Sequence, residues 1–278
     1  MEINLVNRSI KLAQDAPLVF IGGPCMIESR IQAIEAAKKI MEITNKLGME
    51  FIYKSSYDKA NRSSVNSSRG VGIDAGLDIL AEVRDTFNIP VLTDVHSPES
   101  AIKAGAIVDV LQIPALLCRQ TDLLIAAGES GKAVNVKKGQ FMAPWDMANV
   151  VEKILSTGNN KVSLTERGTS FGYNNLIVDM TSLVEMAQFD VPVIFDAGHS
   201  VQRPGSLGNQ SGGDRDLIPS LSRAAVAVGI SALFLETHLE PDKAPCDGPN
   251  MWPIKELLPL LGSVKEIDKY AKRSFGSQ

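Results

Sequence analysis

The chain has 278 residues, of which 44% are hydrophobic and 22% are charged, and its formal net charge is −4. This composition is typical of a soluble globular protein and excludes an intrinsically disordered chain. The negative net charge argues against a protein that binds nucleic acid or a membrane surface.

The cysteines and the N-terminus indicate the cellular compartment. The three cysteines, at positions 25, 118 and 246, are too few and too scattered for a disulfide framework. The first residues, "MEINLVNRSIKLAQ", lack a basic segment followed by an apolar one, and no run of about 18 apolar residues occurs. We therefore expect a cytoplasmic protein with no membrane partner and no nucleic-acid partner.

Short apolar segments recur along the chain. The first dozen residues, "EINLVNRSIKLA", predict a small hairpin. Eight strand candidates follow: "LVFIGG" (18–23), "MEFIYK" (49–54), "IPVLTD" (89–94), "VDVLQI" (108–113), "AVNVKK" (133–138), "KVSLTER" (161–167), "VPVIFDAG" (191–198) and "ALFLE" (232–236). Between them, apolar residues recur at helical spacing, as at Ile31, Ile34, Ala37, Ile40 and Met41.

This alternation predicts the fold. Continuous apolar strands that alternate with helices are typical of a parallel sheet whose outer face is covered by helices. Eight such units, without a linker or a change in composition, favour a closed (β/α)8 barrel over a doubly wound sheet. We predict an α/β fold, a TIM barrel, in one domain over residues 1–278, with the N-terminal hairpin capping the barrel bottom.

Polar residues end nearly every predicted strand, and the active site of a barrel lies at the C-terminal ends of its strands. In chain order they are Lys54, Asp94, His96, Gln112, Asn135, Lys137, Glu166, Arg167, Asp196, His199, Glu236 and His238. A single residue of this kind would indicate only the start of a solvated loop. Their recurrence at successive strands predicts a functional rim.

The rim is predicted to be rich in cations, namely Lys54, Lys59, Arg62, Lys137 and Arg167. Arginine binds phosphate or carboxylate through two parallel hydrogen bonds, and lysine supplies a mobile point charge. Buried cations also need anionic partners. The sequence therefore predicts a strongly positive cavity for small substrates that carry phosphate and carboxylate groups.

A second set of residues at the rim combines a thiol, an imidazole and two carboxylates: Cys25, His199, Glu236 and Asp247. Such a set suits a borderline divalent metal such as Zn, Fe or Mn. The alternative is structural, with Cys25 as a small core residue and His199 bound to a backbone carbonyl. Spacing along the chain leaves both interpretations open.

The motifs of the chain resemble those of the 3-deoxy-D-manno-octulosonate 8-phosphate synthase family. In chain order they are "KSSYDKANRSS", "TDVH", "LQIPALLCRQTDL", "NVKKGQF", "TERGTSFGYNNLIVDM", "FDAGHSVQ", "SGGDR", "FLETH" and "CDGPNM", within residues 18–260. The resemblance implies a (β/α)8 enzyme, usually a homotetramer. It implies condensation of phosphoenolpyruvate with D-arabinose 5-phosphate and water, with release of phosphate, for lipopolysaccharide biosynthesis.

The resemblance also implies roles for individual residues. Around phosphoenolpyruvate it places Lys54, Gln112, Ala115, Lys137 and Arg167. Around the sugar phosphate it places Lys59, Asn61, Arg62, Ser63 and, from a neighbouring subunit, Arg119. The residues that it implies for catalysis are Lys54, Asp94, Lys137, His199 and Asp247.

The family has a metal-dependent and a metal-independent form, which differ chiefly by cysteine or asparagine after the first strand. Here "GGPCMIES" supplies Cys25, so the resemblance implies the metal-dependent form. One divalent ion per subunit, Zn, Fe, Mn or Co, would then be held by Cys25, His199, Glu236 and Asp247. The cysteine of "CDGP" (246–249) is more typical of the metal-independent form.

Three alternative functions remain at this point. A 3-deoxy-D-arabino-heptulosonate 7-phosphate synthase would use erythrose 4-phosphate, but it typically has a "KPRTS"-like stretch where this chain has "KANRSS". A Schiff-base aldolase would use Lys54 or Lys137 as the amine nucleophile. A non-enzymatic barrel would bind the same ligands without turnover.

Overall fold

Eight parallel strands form a closed barrel in the computed structural model, which describes residues 1–5, 8–61, 68–206 and 211–275. In chain order these strands are Val19–Gly23, Phe51–Lys54, Val91–Asp94, Val110–Ile113, Ala133–Lys137, Val162–Glu166, Val193–Asp196 and Ala232–His238, numbered here as barrel strands 1 to 8. Each pairs with the next, and barrel strand 8 also pairs with barrel strand 1. The predicted (β/α)8 barrel is confirmed.

Helices connect the strands and cover the outside of the barrel. The longer helices are Arg30–Leu47, Ile73–Phe87, Pro98–Gly105, Thr121–Glu129, Met147–Leu155, Thr181–Ala187, Ile218–Val228 and Leu257–Phe275. A one-turn helix, Ala197–Ser200, follows barrel strand 7, and two short antiparallel pairs join Thr169–Ser170 to Leu176–Ile177 and Gln202–Arg203 to Gly212–Gly213. Within the described residues, no helix has the length and apolar character needed to span a membrane.

The predicted N-terminal hairpin is present, with Glu2–Asn4 paired to Ser9–Lys11 in antiparallel register. Its side chains Ile3 and Ile10 are buried against the inward residues that begin the barrel strands, such as Val19 and Val110. The hairpin therefore closes the barrel at the N-terminal ends of the strands, because it covers apolar side chains that would otherwise face water.

In the first helix, local capping residues set the two ends, and packing against the barrel sets the rotation about the helix axis. It begins after Ser29, whose side chain accepts a hydrogen bond from the backbone N–H of Gln32, and ends at Gly48, which has φ 56°. Its buried face consists of small residues and Ile40, whereas Ile31, counted in the predicted apolar stripe, is 80% exposed. Small side chains let the helix approach the strands closely, and this contact sets its rotation.

The inward faces of the barrel strands change from apolar to polar along their length. Side chains two positions apart point to the same side of a strand, so Ile52 precedes Lys54 and Leu92 precedes Asp94 on the interior. The apolar members pack in one cluster with the hairpin. The inward polar side chains lie above these apolar ones, toward the C-terminal ends of the strands. The two-residue period of a strand thus places polar side chains at the predicted rim.

Candidate active site

A cavity of about 680 Å³ opens at the C-terminal ends of the barrel strands. Its volume lies within the range that is usual for small-molecule sites. The predicted site residues that line it are Lys54, Lys59, Asn61, Asp94, Ala115, Lys137, Arg167, His199, Glu236 and Asp247. Barrel closure therefore brings together residues separated by almost two hundred positions in the chain.

The other predicted residues have different positions. Gln112 is buried below the cavity, where its side chain bonds to Asp94, and Cys25 is buried beside the cavity. Arg119 is exposed and is not among the residues that line this cavity. The predicted Arg62 and Ser63 lie outside the described residues.

Lysines and carboxylates alternate at the centre of the cavity. Lys54 Nζ lies 2.6 Å from Glu236 Oε1 and 3.7 Å from Asp94 Oδ2. Lys59 Nζ lies 3.6 Å and 3.9 Å from the same two oxygens. The prediction of a strongly positive cavity is therefore corrected: these buried cations are partnered by carboxylates, because an unpaired buried ion costs several kcal/mol.

This arrangement fixes the charge state of Lys54. Burial alone would lower the pKa of its ammonium, but the carboxylates of Asp94 and Glu236 outweigh burial and raise that pKa. Burial would also lower the pKa of Lys59, but nearby anionic groups, Glu236 and Asp94 among them, raise it well above its ordinary value. A Schiff base requires a neutral amine, so Lys54 is poorly suited to the aldolase alternative.

Asp94 is held by a chain of buried amide and hydroxyl groups. Its two oxygens accept hydrogen bonds from the Ser56 hydroxyl and the Gln112 amide. Gln112 Oε1 in turn accepts a bond from Asn135 Nδ2 at 3.0 Å. Burial would raise the pKa of Asp94, but Lys54 and Lys59 hold it far below the usual range. The carboxylate is therefore charged and fixed in orientation.

We predict that Asp94→Asn weakens the dependence of stability on acid pH. An aspartate in the unfolded chain has a pKa of about 3.9. Because the pKa of Asp94 is lowered on folding, its stabilisation is complete above that pH and is lost as the pH falls below it. The loss is at most about 1.4 kcal/mol per pH unit. Urea unfolding across this acid range should show a shallower slope in the variant, and equal slopes would contradict the prediction.

A second buried cation sits between an acid and an aromatic ring. Lys137 Nζ lies 2.5 Å from Asp196 Oδ2 and 4.0 Å from the centre of the Phe234 ring. Phe234 points inward from barrel strand 8 and is fully buried. A cation over an aromatic face gains electrostatic attraction from the ring. Together the acid and the ring fix the ammonium at the cavity wall.

Arg167 presents an unpartnered charged donor. The residue is 4% exposed, and its Nη2 donates to Gln202 Oε1 at 2.9 Å, whereas Nη1 has no hydrogen-bond partner among the described residues. Glu166 holds the backbone below, because its Oε1 accepts from the N–H groups of Arg167 and Gly168 at 2.9 Å and 2.6 Å. Since buried donors are nearly always satisfied, Nη1 is available to a ligand or to water in the cavity that Arg167 lines.

The predicted metal ligands fall into two trios that share Asp247, and one of these trios also contains Cys246, which was not predicted as a ligand. One trio is Cys25, Cys246 and Asp247, the other is His199, Glu236 and Asp247, and the donor atoms within each lie within 4.8 Å of one another. Cys25 Sγ lies 3.0 Å from Asp247 Oδ2, and His199 Nε2 lies 3.8 Å from Glu236 Oε2. Asp247 has φ 50°, an uncommon conformation for a residue other than glycine.

The residues present fit a divalent cation. His199 Nδ1 lies 2.7 Å from Asp196 Oδ2, which leaves Nε2 available as a ligand. Burial and the contact with Cys246 raise the pKa of the Cys25 thiol well above its ordinary value. A bound cation reverses this effect, because coordination deprotonates a thiol. Thiolate, imidazole and carboxylate together match a borderline metal such as Zn, Fe, Mn or Co.

Sequence reasoning assigned no role to four residues that take part in this geometry. Asp196 and Gln202 bond to predicted site residues, Phe234 underlies Lys137, and Cys246 Sγ lies 2.7 Å from Cys25 Sγ. Asp196 carried a signal, since it ends a predicted strand three positions before His199. The contacts of the other three depend on barrel closure, which spacing in the sequence does not reveal.

Fold and site together define a (β/α)8 barrel enzyme for small, phosphorylated, anionic substrates. The chain belongs to the DAHP synthetase I family, whose sequence profile matches residues 2–273. Within that family it is similar to curated proteins named 2-dehydro-3-deoxyphosphooctonate aldolase.

Three of these relatives span almost the whole chain. One from Rhodopseudomonas palustris (strain BisB5) is 55% identical over 269 residues, which are 96% of this chain and 94% of the relative. One from Trichlorobacter lovleyi is 55% identical over 260 residues, which are 94% of this chain and 96% of the relative. One from Brucella anthropi is 52% identical over 271 residues, which are 96% of this chain and 98% of the relative. The expected resemblance is thus confirmed.

Proposed function

We propose that this chain is a 3-deoxy-D-manno-octulosonate 8-phosphate synthase, the enzyme also called 2-dehydro-3-deoxyphosphooctonate aldolase. It condenses phosphoenolpyruvate with D-arabinose 5-phosphate and water, and releases inorganic phosphate. The names of relatives at 52% to 56% identity support this assignment over the heptulosonate synthase, which shares only the family. The single observation that carries it is the near-full-length identity to these relatives, and the unpartnered Nη1 of Arg167 in the same cavity as the paired lysines agrees with it.

Phosphoenolpyruvate would bind among Lys54, Lys137 and Arg167, with Ala115 at the cavity wall. The substrate carries a phosphate and a carboxylate, and Arg167 can offer its free Nη1 to either group. The lysine ammonium groups are already aimed by their carboxylate partners. Gln112 would act from below, because it fixes Asp94 and thereby the Lys54 side of the site.

The sugar phosphate would bind at the cavity mouth. Asn61 lines the cavity, and Lys59 lines it beside the central carboxylates. Arg62 and Ser63, which follow in "KANRSS", are proposed for the same phosphate by their place in the motif. Lys59 would then separate the two substrates, since it lies near both Asp94 and Glu236. Fixed cations between two anions offset their mutual repulsion.

The reaction needs little covalent help from the protein. C3 of phosphoenolpyruvate attacks the aldehyde carbon of the sugar, water adds at C2, and phosphate leaves with cleavage of the C2–O bond. Lys54 and Lys137 would balance the negative charge around the reacting carbons, held in place by Asp94 and Asp196. Positioning and preorganised charge would supply most of the rate.

We also propose one divalent ion per subunit, Zn, Fe, Mn or Co, held by Cys25, His199, Glu236 and Asp247. When bound, it supplies Lewis acidity that can polarise the aldehyde or orient the attacking water. His199 and Asp247 line the cavity, so their donor atoms adjoin the space proposed for the substrates. Glu236 has a double role, because Oε1 bonds to Lys54 and Oε2 faces His199.

Phosphate release tests the proposed function. We expect release only when both phosphoenolpyruvate and arabinose 5-phosphate are present, with an eight-carbon phosphorylated product identified by mass spectrometry. The stoichiometry should be one phosphate per product molecule. Release from phosphoenolpyruvate alone would indicate a phosphatase, and binding of both ligands without release would indicate a binding protein.

We propose that the active form is a homotetramer in which Arg119 completes a neighbouring sugar-phosphate site. Arg119 is exposed, follows the turn Ala115–Leu117, and is not among the lining residues of the cavity in its own chain. An outward position of this kind supports action on another subunit. We further propose that the chain is a single catalytic domain. We also propose that it is cytoplasmic, which the free cysteines support.

We predict that Arg119→Ala raises the KM for arabinose 5-phosphate about tenfold or more, because loss of one charged hydrogen bond costs about 1.5 to 3 kcal/mol. The KM for phosphoenolpyruvate should change little, since that ligand is proposed to bind within one chain. Initial-rate kinetics measure both values. A monomeric mass of the active wild-type enzyme in sedimentation would contradict the shared site.

A further inference from the structure

We infer that Asp196 is a positioning residue that orients His199 for the metal ion and Lys137 for phosphoenolpyruvate at the same time. This inference rests on the proposed function, and it adds a residue to which the motifs assign no role. Asp196 is the last residue of barrel strand 7 and is fully buried. It lies below the cavity wall that His199 and Lys137 form.

One carboxylate oxygen serves both partners. Asp196 Oδ2 lies 2.5 Å from Lys137 Nζ and 2.7 Å from His199 Nδ1. The second oxygen, Oδ1, accepts a hydrogen bond from the backbone N–H of His199 at 2.9 Å. The His199 residue is thus held at both backbone and ring, and its ring cannot rotate without breaking a buried bond.

The bond to Nδ1 selects one form of the imidazole. A carboxylate accepts hydrogen bonds and does not donate them, so Nδ1 carries a proton, and the neutral imidazole that can bind a metal ion has its lone pair on Nε2. Nε2 faces Glu236 Oε2 at 3.8 Å, in the trio that also contains Asp247. Asp196 therefore presents the nitrogen that a metal ion needs, which is the usual role of a carboxylate behind a histidine ligand.

Asp196 lies between two buried partners, with its Oδ2 2.5 Å from Lys137 Nζ and 2.7 Å from His199 Nδ1. Phe234 completes the arrangement, because its ring lies 4.0 Å from Lys137 Nζ and 6.4 Å from the His199 ring. Movement of the shared oxygen would therefore displace both the His199 ring proposed to bind the metal ion and the Lys137 ammonium proposed to bind phosphoenolpyruvate.

A purely structural role is the competing explanation, since Asp196 also caps the one-turn helix Ala197–Ser200. The change Asp196→Asn separates the two. Asparagine is an equally good cap, so the helix end can persist. Its side chain has only one oxygen, however, and if that oxygen caps the helix, the NH2 group faces Lys137 and His199 Nδ1. Two donors then oppose each other, and the imidazole is driven to the other tautomer.

Asp268→Asn is the matched control. Asp268 is 5% exposed, accepts a hydrogen bond from the backbone N–H of Leu18 at 3.0 Å, and pairs with Lys272 at 2.7 Å. It lies in the last helix, Leu257–Phe275, and its partner Leu18 directly precedes barrel strand 1, at the end of the barrel opposite the cavity. Both variants thus remove one buried, partnered carboxylate and keep the side-chain shape. A loss of stability alone should appear in both.

The experiment measures Mn²⁺ affinity of the metal-free protein, the KM for phosphoenolpyruvate, and the ¹⁵N shifts of the His199 ring. We expect Asp196→Asn to weaken Mn²⁺ binding about 10- to 100-fold, to raise the KM for phosphoenolpyruvate, and to move the proton from Nδ1 to Nε2. Asp268→Asn should leave all three at wild-type values.

The outcomes separate this inference from the proposed function. If wild-type protein binds no Mn²⁺, the proposed metal site fails, and the ring shifts and the KM still decide the role of Asp196. If Asp196→Asn keeps the Nδ1 proton and wild-type KM, or if Asp268→Asn changes the same quantities equally, the inference is overturned. Should Asp196→Asn fold poorly, Asp196→Glu, which retains the charge, is measured at reduced temperature instead. We expect its Mn²⁺ affinity, its KM for phosphoenolpyruvate and its His199 ring shifts to lie nearer the wild-type values than those expected for Asp196→Asn.

Discussion

We expect Lys137→Met to lower kcat/KM by about 10³-fold, which corresponds to about 4 kcal/mol of transition-state stabilisation. The change removes a cation from the cavity and leaves Asp196, fully buried, without the partner that lies at 2.5 Å. Loss of one member of a buried charge pair also lowers the stability of the folded protein by about 3 to 5 kcal/mol. The reduction in kcat/KM is expected separately, because the Lys137 ammonium is one of the cations proposed to stabilise charge at phosphoenolpyruvate.

Lys272→Met is the control for this variant. Lys272 pairs with Asp268 at 2.7 Å, its side chain is 11% exposed, and it lies at the barrel bottom, away from the cavity. We expect this change to lower the thermal midpoint while kcat/KM of the remaining folded enzyme stays near the wild-type value. Similar losses of kcat/KM in both variants would mean that Lys137 acts through stability alone.

Metal removal gives the second large effect. We expect a strong chelator to abolish wild-type activity, and Mn, Zn, Fe or Co to restore it. Cys25→Asn should lower metal affinity about 10²-fold or more, because the anionic sulfur next to Asp247 is lost. Elemental analysis and titration of the metal-free protein measure these changes independently of turnover.

Cys118→Ala is the matched control, since Cys118 is buried but belongs to neither trio. Its metal affinity should equal that of the wild type. Full wild-type activity after chelation, with metal content near zero, would contradict the metal proposal. Activity of Cys25→Asn without metal would show that the remaining residues orient water and aldehyde unaided, an outcome that the "CDGP" segment favours.

The sequence predicted the barrel and most of the rim because both follow from local periodicity. The two-residue period of a strand places Lys54 above Ile52 and Asp94 above Leu92, so the apolar pattern and the polar strand ends can both be read from the sequence. The rotation of the first helix was harder to predict from the sequence. Ile31 is exposed because contact of small residues with the barrel, rather than total apolarity, sets which face turns inward.

The contacts between strand ends were not predictable in the same way. Asp196 and Lys137 come from barrel strands 7 and 5, and their shared geometry depends on strand tilt and barrel closure. Cys246 approaches Cys25 from a connection that follows barrel strand 8. The need of buried cations for anionic partners was anticipated, but the structure was required to show that these partners are carboxylates of the chain itself.

The choice of acceptor tests the central claim most directly. Asn61 lines the cavity within "KANRSS", where the heptulosonate enzyme typically has "KPRTS". Phosphate release from phosphoenolpyruvate should be measured side by side with arabinose 5-phosphate and with erythrose 4-phosphate at equal concentrations. We predict productive turnover with the five-carbon sugar and poor turnover with the four-carbon sugar. Faster turnover with erythrose 4-phosphate would contradict the assignment.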